Sequence, residues 1–201
     1  MLYTQSWLEL AKITTVNIAR YCVKHGYSWN IQCIDEPYDA FEKIRQIQGI
    51  FERNEADVVM SMDCDSLITN YTIRIEDFIN DYNSFFVCED YHGINTGIFI
   101  IKNTIDAKIL IDYTLPMKGD IGFNCEQDKI EQYFYHSEDN TGIEILPHPS
   151  INSYLYELYH EIPPQTPAQG QWIEGSFILH LPGIGMDLRK EILSNTKVIY
   201  E

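Results

Sequence analysis

Basic residues are scarce in this sequence, and their scarcity excludes two classes of partner. The 201 residues include 14 Lys and Arg against 30 Asp and Glu, which gives a formal net charge of −16. Nucleic acids and anionic membranes are bound through clustered Lys and Arg, so we expect no nucleic-acid partner. Most of the acidic excess is explained by solubility, and a site built from carboxylates would add to it.

Long apolar runs and paired cysteines are also lacking. No stretch approaches the ~20 apolar residues of a membrane-spanning helix, and Met1–Gln5 has neither the basic start nor the apolar run of a signal peptide. The five cysteines contain no CxxC pair, which disfavours a zinc knuckle or a disulfide framework. We therefore expect a soluble, cytoplasmic protein without a membrane span, unless an anchor belongs to a longer parent protein.

Apolar spacing predicts strands and helices that alternate along the chain, which is typical of an α/β fold with parallel strands and right-handed crossovers. With 45% hydrophobic residues, the length suits one compact domain. The region from Ser150 to Gln171 is rich in Tyr, Pro and Gln and is predicted to be irregular. The predicted strands are 1–5, Tyr27–Ile34, Asp57–Met62, Ser84–Glu89, Thr96–Lys102 and Ser176–Leu181, and the predicted helices are Leu8–Lys24, Tyr38–Arg53, Thr104–Thr114, Asn124–Tyr135 and Met186–Leu193.

Two aspartates follow the most apolar of these strands. Asp57–Met62 shows no polar alternation, as expected of a buried parallel strand, and it ends in Asp63-Cys64-Asp65. Side chains two apart in an extended segment point the same way, so Asp63 and Asp65 can hold Mg²⁺ or Mn²⁺, which prefer hard oxygen ligands. The alternative is a solvated turn.

A histidine, His180, closes the last predicted strand and precedes Leu181-Pro182-Gly183. A lone histidine after an apolar run is commonly a satisfied core residue. The neighbouring Gly183 would let the backbone approach a ligand closely, and an imidazole beside the two aspartates would favour Mn²⁺.

Seven short blocks between residues 17 and 185 resemble, in order, motifs of the GT-A glycosyltransferases, especially the galactosyl-, mannosyl- and xylosyltransferase family of fungi and plants. The chain departs from that family at two places. It has Val58-Val59-Met60 where the family has bulkier residues, and it has Gly185 where the family has a basic residue, a role that Arg189 or Lys190 could fill. The blocks are Asn17–Tyr21 with His25–Tyr27, Lys43, Asp63–Asp65, Asn95–Ile100, Glu126–Asp128, Ile151–Tyr154, and Glu174–Phe177 with His180 and Gly183.

This resemblance implies a GT-A fold, that is, a Rossmann-like α/β fold with a mixed, mostly parallel central sheet flanked by helices. Residues 1–201 would form a single domain, with a donor-binding half at about 1–100 and an acceptor or closing half at about 101–201. Asp63, Asp65 and His180 would hold Mn²⁺ or Mg²⁺. The short, anchorless chain is similar to small soluble transferases of bacteria or large DNA viruses, and a viral member would work in the host cytoplasm.

The resemblance also implies the reaction and its residues. A hexose or pentose would pass from a nucleotide diphosphate sugar, by analogy a UDP-sugar with a guanosine donor as alternative, to a glycan or glycoprotein acceptor, with retention of anomeric configuration. Gln127 and Asp128 would contact the reacting sugar as catalytic residues. An inverting enzyme would instead need a carboxylate base, for which Asp90, Glu126 and Asp128 are the candidates. The implied donor-binding set is Lys43, Asp63, Cys64, Asp65, Asn95, Gly97 and Gly183.

Two other functions remain open at this stage. A haloacid-dehalogenase-type phosphatase also places DxD after an apolar strand, with Asp63 as nucleophile and Asp65 as acid/base, but Leu67 stands where that motif has Thr or Val. A non-catalytic nucleotide-sugar or glycan-binding domain on the same fold is the second alternative, because fold does not guarantee chemistry.

Overall fold

The structure is a computed structural model, and it describes residues 1–115, 125–136 and 142–201. Within these ranges no helix has the length and apolar character needed to cross a membrane. The strands are β1 (Leu2–Thr4), β2 (Gln32–Ile34), β3 (Val58–Met62), β4 (Ser66–Ile68), β5 (Phe85–Asp90), β6 (Gly93–Lys102), β7 (Ile143–Leu146) and β8 (Ile178–His180). The α-helices are α1 (Leu8–His25), α2 (Glu42–Glu52), α3 (Ile105–Thr114), α4 (Glu126–His136) and α5 (Met186–Asn195).

The central sheet has four strands in the order β3-β6-β5-β7. Strand β6 is antiparallel to both β3 and β5, whereas β5 and β7 are parallel. Two smaller pairs accompany it, β1 with β2 in parallel and β4 with β8 antiparallel. The mixed sheet is therefore confirmed, but antiparallel pairs predominate among the described residues. In particular, β3 was expected to be parallel to its neighbour and its partner β6 runs antiparallel.

Both faces of the central sheet are covered by helices. Because side chains alternate along a strand, Phe86 and Cys88 of β5 join a buried cluster with α1, while Phe85 and Val87 join another with α2, α3 and α4. These four side chains are at most 1% exposed, and each buried large apolar side chain contributes about 1.5–3 kcal/mol. The result is a three-layer arrangement in which the central sheet lies between two layers of helices.

Most helices lie close to their predicted bounds, and α1 ends as predicted at Gly26, whose φ of 73° is left-handed. Helix α2 begins later than predicted because the carboxylate of Asp39 accepts a hydrogen bond from the Phe41 amide at 2.9 Å, a local turn that competes with helix. Residue 124, the predicted first residue of the fourth helix, lies outside the described residues.

The strand predictions were less accurate. Of Tyr27–Ile34 only Gln32–Ile34 forms a strand, and β4 and β7 were not predicted. The region from Ser150 to Gln171 is irregular as predicted, with short 3₁₀ turns and no α-helix.

Candidate metal and donor site

The aspartate pair lies where β3 leaves the central sheet. Strand β3 ends at Met62, and the amide of Asp63 donates to the carbonyl of Gly97 on β6 at 2.7 Å. The chain then turns, because the amide of Ser66 donates back to the carbonyl of Asp63 at 3.3 Å, and it continues as β4. The last hydrogen bond between β3 and β6 thus fixes the backbone of Asp63. The start of β4 fixes the backbone of Asp65.

His180 reaches the same point through strand register. In the β4–β8 pair, Ser66 lies opposite His180, and the amide of Leu181 donates to the carbonyl of Asp65 at 3.1 Å. The ring Nε2 of His180 is consequently 3.3 Å from Oδ1 of Asp65. One ligand atom from each of Asp63, Asp65 and His180 lies within 4.8 Å of the others, so the structure brings together the three residues predicted to bind a metal.

Arg189 is a further charged residue at Asp65. Its guanidinium lies 3.0 Å from Oδ2 of Asp65, its Nε donates to the carbonyl of Leu181 at 2.9 Å, and it stacks over the ring of Trp7. Burial opposes ionisation of Asp65, but His180 and Arg189 more than offset it, so the pKa of Asp65 is held below its ordinary value. Asp65 is therefore a charged ligand with one oxygen turned toward His180.

Lys43, one of the predicted donor-binding residues, lies in the interior beside Asp63. It is buried, with its Nζ 2.7 Å from Glu126, 3.1 Å from Oδ1 of Asp63 and 3.3 Å from the carbonyl oxygen of Thr96. Burial alone would lower the pKa of Lys43, but the Asp63 and Glu126 carboxylates raise it. Lys43 contacts Asp63, and Glu126, one of the candidate bases considered from sequence, is its nearest charged partner.

The predicted donor residues Asn95 and Gly97 line the other side of the site. Oδ1 of Asn95 accepts from the amide of Gly97 at 3.0 Å, and its Nδ2 donates to Asp90 at 3.0 Å. A Cβ added to Gly97 would overlap the ring of His180 and lie 3.0 Å from Oδ1 of Asn95. Glycine is thus required for His180 to pack against β6.

The other two predicted donor residues offer backbone rather than side chains. Cys64 is buried, with its Sγ 3.9 Å from the hydroxyl of Thr14, and burial raises the pKa of its thiol to about 12. Its side chain therefore packs in the core, and its contact with a donor stays a prediction. Gly183 has a left-handed φ of 71° and open space around its Cα.

The two residues predicted to be catalytic lie in the first turn of α4. Oε1 of Gln127 accepts from the amide of Thr96 at 3.1 Å, which ties α4 to the bulged part of β6. Asp128, the next residue of α4, is half-buried. Their contact with a sugar stays a prediction.

Two tyrosines of the irregular region are packed in the interior. Tyr154 and Tyr156 are 4% and 3% exposed, and both rings contact His148 edge-on. Ordinary packing therefore accounts for both. The irregular region also supplies Asn152, a buried amide beside His180 that the sequence did not single out as a site residue.

The chemistry of these side chains fits a divalent cation. Two carboxylates and one imidazole suit Mn²⁺, and the carboxylates alone suit Mg²⁺. Three carboxylates (Asp63, Asp65 and Glu126) face two cations (Lys43 and Arg189), so the cluster keeps one negative charge for a metal to neutralise.

A groove of about 760 Å³ opens beside Asp63. Tyr38 and Lys43 also line it, together with the residues of β3 and with apolar residues of α1 and α2. Ligand pockets for small molecules commonly measure about 300–1,000 Å³, so the space is large enough for a nucleotide.

The fold is that of the GT-A glycosyltransferases. A glycosyltransferase involved in glycosylation of the major capsid of PBCV-1 aligns with a TM-score of 0.69 and 16% identity, covering 96% of this chain and 97% of that one. An active-site mutant of LgtC aligns with a TM-score of 0.50 and 11% identity, covering 100% and 97%. At these identities the likeness establishes the fold alone.

A sequence relative agrees with the fold. The probable alpha-1,2-galactosyltransferase gmh1 of Schizosaccharomyces pombe is 32% identical over 102 residues, which are 49% of this chain. The aligned part spans 28% of the length of that relative. No model of a known protein family matches the chain. The chain thus resembles the galactosyltransferase group indicated by its sequence motifs.

Proposed function

We propose that this chain is a metal-dependent glycosyltransferase that moves a hexose or pentose from a nucleotide diphosphate sugar to a glycan acceptor. The observation that carries the proposal is the convergence of Asp63, Asp65 and His180 at the edge of a GT-A sheet. The galactosyltransferase relative supports the same class of reaction. The site fits a single domain in which the donor binds mainly to the first half of the chain, about residues 1–100. His180 is contributed by the second half.

Each side chain has a defined task in this proposal. Asp63, Asp65 and His180 would hold Mn²⁺ or Mg²⁺, which when bound offsets the charge of a diphosphate and of the departing nucleotide. Arg189 keeps Asp65 ionised and oriented. Burial raises the pKa of Asp63, and Lys43 opposes that rise and orients the carboxylate. The groove beside Lys43 and Asp63 would receive the nucleotide, for which we favour uridine.

Retention of anomeric configuration is supported by the state of two carboxylates. Asp90 accepts hydrogen bonds from the amide of His92 and from Asn95 and Tyr154, and Glu126 is buried against Lys43. These contacts argue against Asp90 and Glu126 as the proton acceptor that an inverting enzyme needs, and they do not bear on Asp128, the third candidate base. Gln127 and Asp128 remain our candidates for contacts to the reacting sugar.

The decisive test is calorimetric titration of UDP and GDP with and without Mn²⁺. Wild type should bind one nucleotide only in the presence of metal, and Asp65→Asn should lose that binding. Asp187→Asn is the matched control, because Asp187 is 99% exposed on the helix that carries Arg189, and it should bind as wild type. Absence of metal-dependent binding in wild type would overturn the proposal, and phosphate release from phosphomonoesters would then support the phosphatase alternative.

A second measurement separates catalysis from binding. UDP-sugars, and GDP-mannose as the guanosine case, are incubated with the protein and Mn²⁺ while NMR follows the anomeric signals of the released or transferred sugar. Turnover with the donor's own anomeric configuration is expected. Tight binding without hydrolysis or transfer on any acceptor would instead support a non-catalytic binding domain.

A further inference from the structure

The two ring nitrogens of His180 have different partners. Nε2 faces Oδ1 of Asp65 at 3.3 Å, while Nδ1 lies 2.9 Å from Oδ1 of Asn152. A neutral imidazole carries its proton on one nitrogen only, and the bare nitrogen is the one that can bind a metal. The orientation of the Asn152 amide therefore decides which nitrogen of His180 is available.

That orientation follows from the atoms around the amide nitrogen. Asn152 is fully buried, and its Nδ2 lies 3.1 Å from Oδ1 of Asn95 and 3.3 Å from the hydroxyl oxygen of Tyr154. An amide placed here must find acceptors on its nitrogen side and a donor on its oxygen side. The oxygens of Asn95 and Tyr154 accept from Nδ2 of Asn152 only if the protons of these two side chains point elsewhere.

Asp90 fixes the direction of both protons, because a carboxylate only accepts hydrogen bonds. Its Oδ2 accepts from the hydroxyl of Tyr154 at 2.7 Å and from Nδ2 of Asn95 at 3.0 Å. The oxygen of Tyr154 is then an acceptor toward Asn152. The Oδ1 of Asn95 also faces Asn152, and it is independently fixed as an acceptor by the amide of Gly97 at 3.0 Å.

The reverse arrangement is strongly disfavoured. If the Asn152 amide were turned over, its oxygen would face the two acceptor oxygens of Asn95 and Tyr154, and its nitrogen would face His180. Each buried polar group left without a partner costs about 1–3 kcal/mol. Asn152 therefore presents its oxygen to His180, and Nδ1 of His180 must donate to it.

We propose that Asn152 is a positioning residue that accepts the Nδ1 proton of His180 and so reserves Nε2, the nitrogen on the side of Asp65, for a metal, with the carboxylate of Asp90 fixing the direction of the whole hydrogen-bond chain. The role of Nε2 in metal binding rests on the proposed function; the proton on Nδ1 does not. Asp90 is thereby a structural acceptor three hydrogen bonds away from His180 rather than a base.

The tautomer can be read directly by long-range ¹H–¹⁵N NMR of the imidazole rings in metal-free, ¹⁵N-labelled protein. The spectrum is recorded near about pH 8, above the ordinary pKa of histidine, and His180→Gln identifies the His180 signals among the six histidines. Wild type should show a protonated Nδ1, with or without a second proton on Nε2 facing Asp65. A ring whose Nδ1 carries no proton would overturn the proposal without any recourse to activity.

Three variants then test whether Asn152 is the cause. Asn152→Ala should lose the single tautomer and bind Mn²⁺ about 10–100-fold more weakly, the range found when a partner of a ligating histidine is removed. Asn152→Asp keeps an acceptor at Nδ1 and should retain the Nδ1–H form. Asn17→Ala is the structural control, because buried Asn17 makes two hydrogen bonds to Ile68, and it should lower the unfolding midpoint without changing the tautomer.

The outcomes separate this inference from the proposed function. An unchanged tautomer in Asn152→Ala would contradict the role of Asn152, whatever the enzyme does. An Nδ1–H tautomer in a wild type that binds no Mn²⁺ would uphold the hydrogen-bond chain and overturn the metal site.

Discussion

The ammonium of Lys43 lies 2.7 Å from the carboxylate of Glu126, and the two side chains are only 9% and 4% exposed. Lys43 belongs to α2 and Glu126 to α4, so the pair joins two helices directly behind Asp63. Loss of one partner from such a pair leaves an uncompensated charge in the interior. The pair therefore supports the metal site from behind, in addition to any effect on a bound donor.

Lys43→Met is expected to lower the free energy of unfolding by about 3–5 kcal/mol, the usual cost of breaking a buried ion pair from one side. Urea unfolding followed by circular dichroism measures this change. The double variant Lys43→Met/Glu126→Gln should recover part of the loss, because Glu126 is then no longer a lone buried charge, whereas Asp63 still lacks Lys43.

The matched control is an exposed pair. Lys12 pairs with Glu9 on the surface of α1, where the side chains are 59% and 67% exposed, and Lys12→Ala should change stability by no more than about 1 kcal/mol. Equal effects of Lys43→Met and Lys12→Ala would show that the Lys43 site is as well solvated as the surface.

Gly97→Ala is expected to weaken metal binding. The added Cβ would overlap the ring of His180, so the ring must move away from Asp65. Calorimetric titration of Mn²⁺ should show affinity reduced by at least about 10-fold, as when a supporting contact of a ligand is lost. Gly185→Ala, with an ordinary φ of −61° and open space at its Cα, should bind Mn²⁺ as wild type. Normal metal affinity in Gly97→Ala would mean that His180 is not a ligand.

The sequence predicts the aspartate pair well because its signal is local. An apolar strand that ends in Asp63-Cys64-Asp65 needs only five or six residues to be recognised, and hydrophobic spacing locates most helices for the same reason. His180 could be assigned from the resemblance to a known family. Its physical placement, opposite Ser66, depends on the register of β4 and β8, which no local pattern contains.

The missed features are all long-range. Strand β3 has the apolar composition of a buried parallel strand, yet its direction relative to β6 is set by chain topology. Glu126 is accounted for equally well by the helix dipole, so nothing in the sequence indicates that Lys43 lies against it. The hydrogen-bond chain from Asp90 to Asn152 likewise joins residues whose proximity appears only in the folded chain.

Thiol labelling should follow burial. Burial raises the pKa of Cys22 to about 11 and those of Cys64 and Cys88 to about 12, whereas Cys33 is exposed. Because the thiolate is the reactive form, iodoacetamide near about pH 8 should modify Cys33 first and the three buried thiols only after unfolding. Peptide mass spectrometry over a time course measures this order. Cys33→Ser should remove the fast phase, and rapid labelling of Cys64 in native protein would contradict its packing beneath the aspartates.

Arg189→Met should destabilise the protein in a pH-dependent way. Burial, His180 and Arg189 act on Asp65 together, and their balance holds its pKa below 3.8. A carboxylate with a lowered folded pKa contributes stability that is present above the unfolded pKa and is lost as the pH falls through the folded pKa. The variant should therefore differ from wild type by about 3 kcal/mol near neutral pH, and the difference should shrink below pH 3.8.

Urea unfolding at a series of pH values from about 7 to about 3 measures this dependence. Lys190→Ala is the adjacent control, because Lys190 pairs with the exposed carboxylate of Asp187. This variant should change the free energy of unfolding only slightly, and by the same amount at every pH. A large Arg189→Met effect that stays constant with pH would assign the loss to the packing of Arg189 over Trp7, because a packing contact does not depend on the ionisation of Asp65.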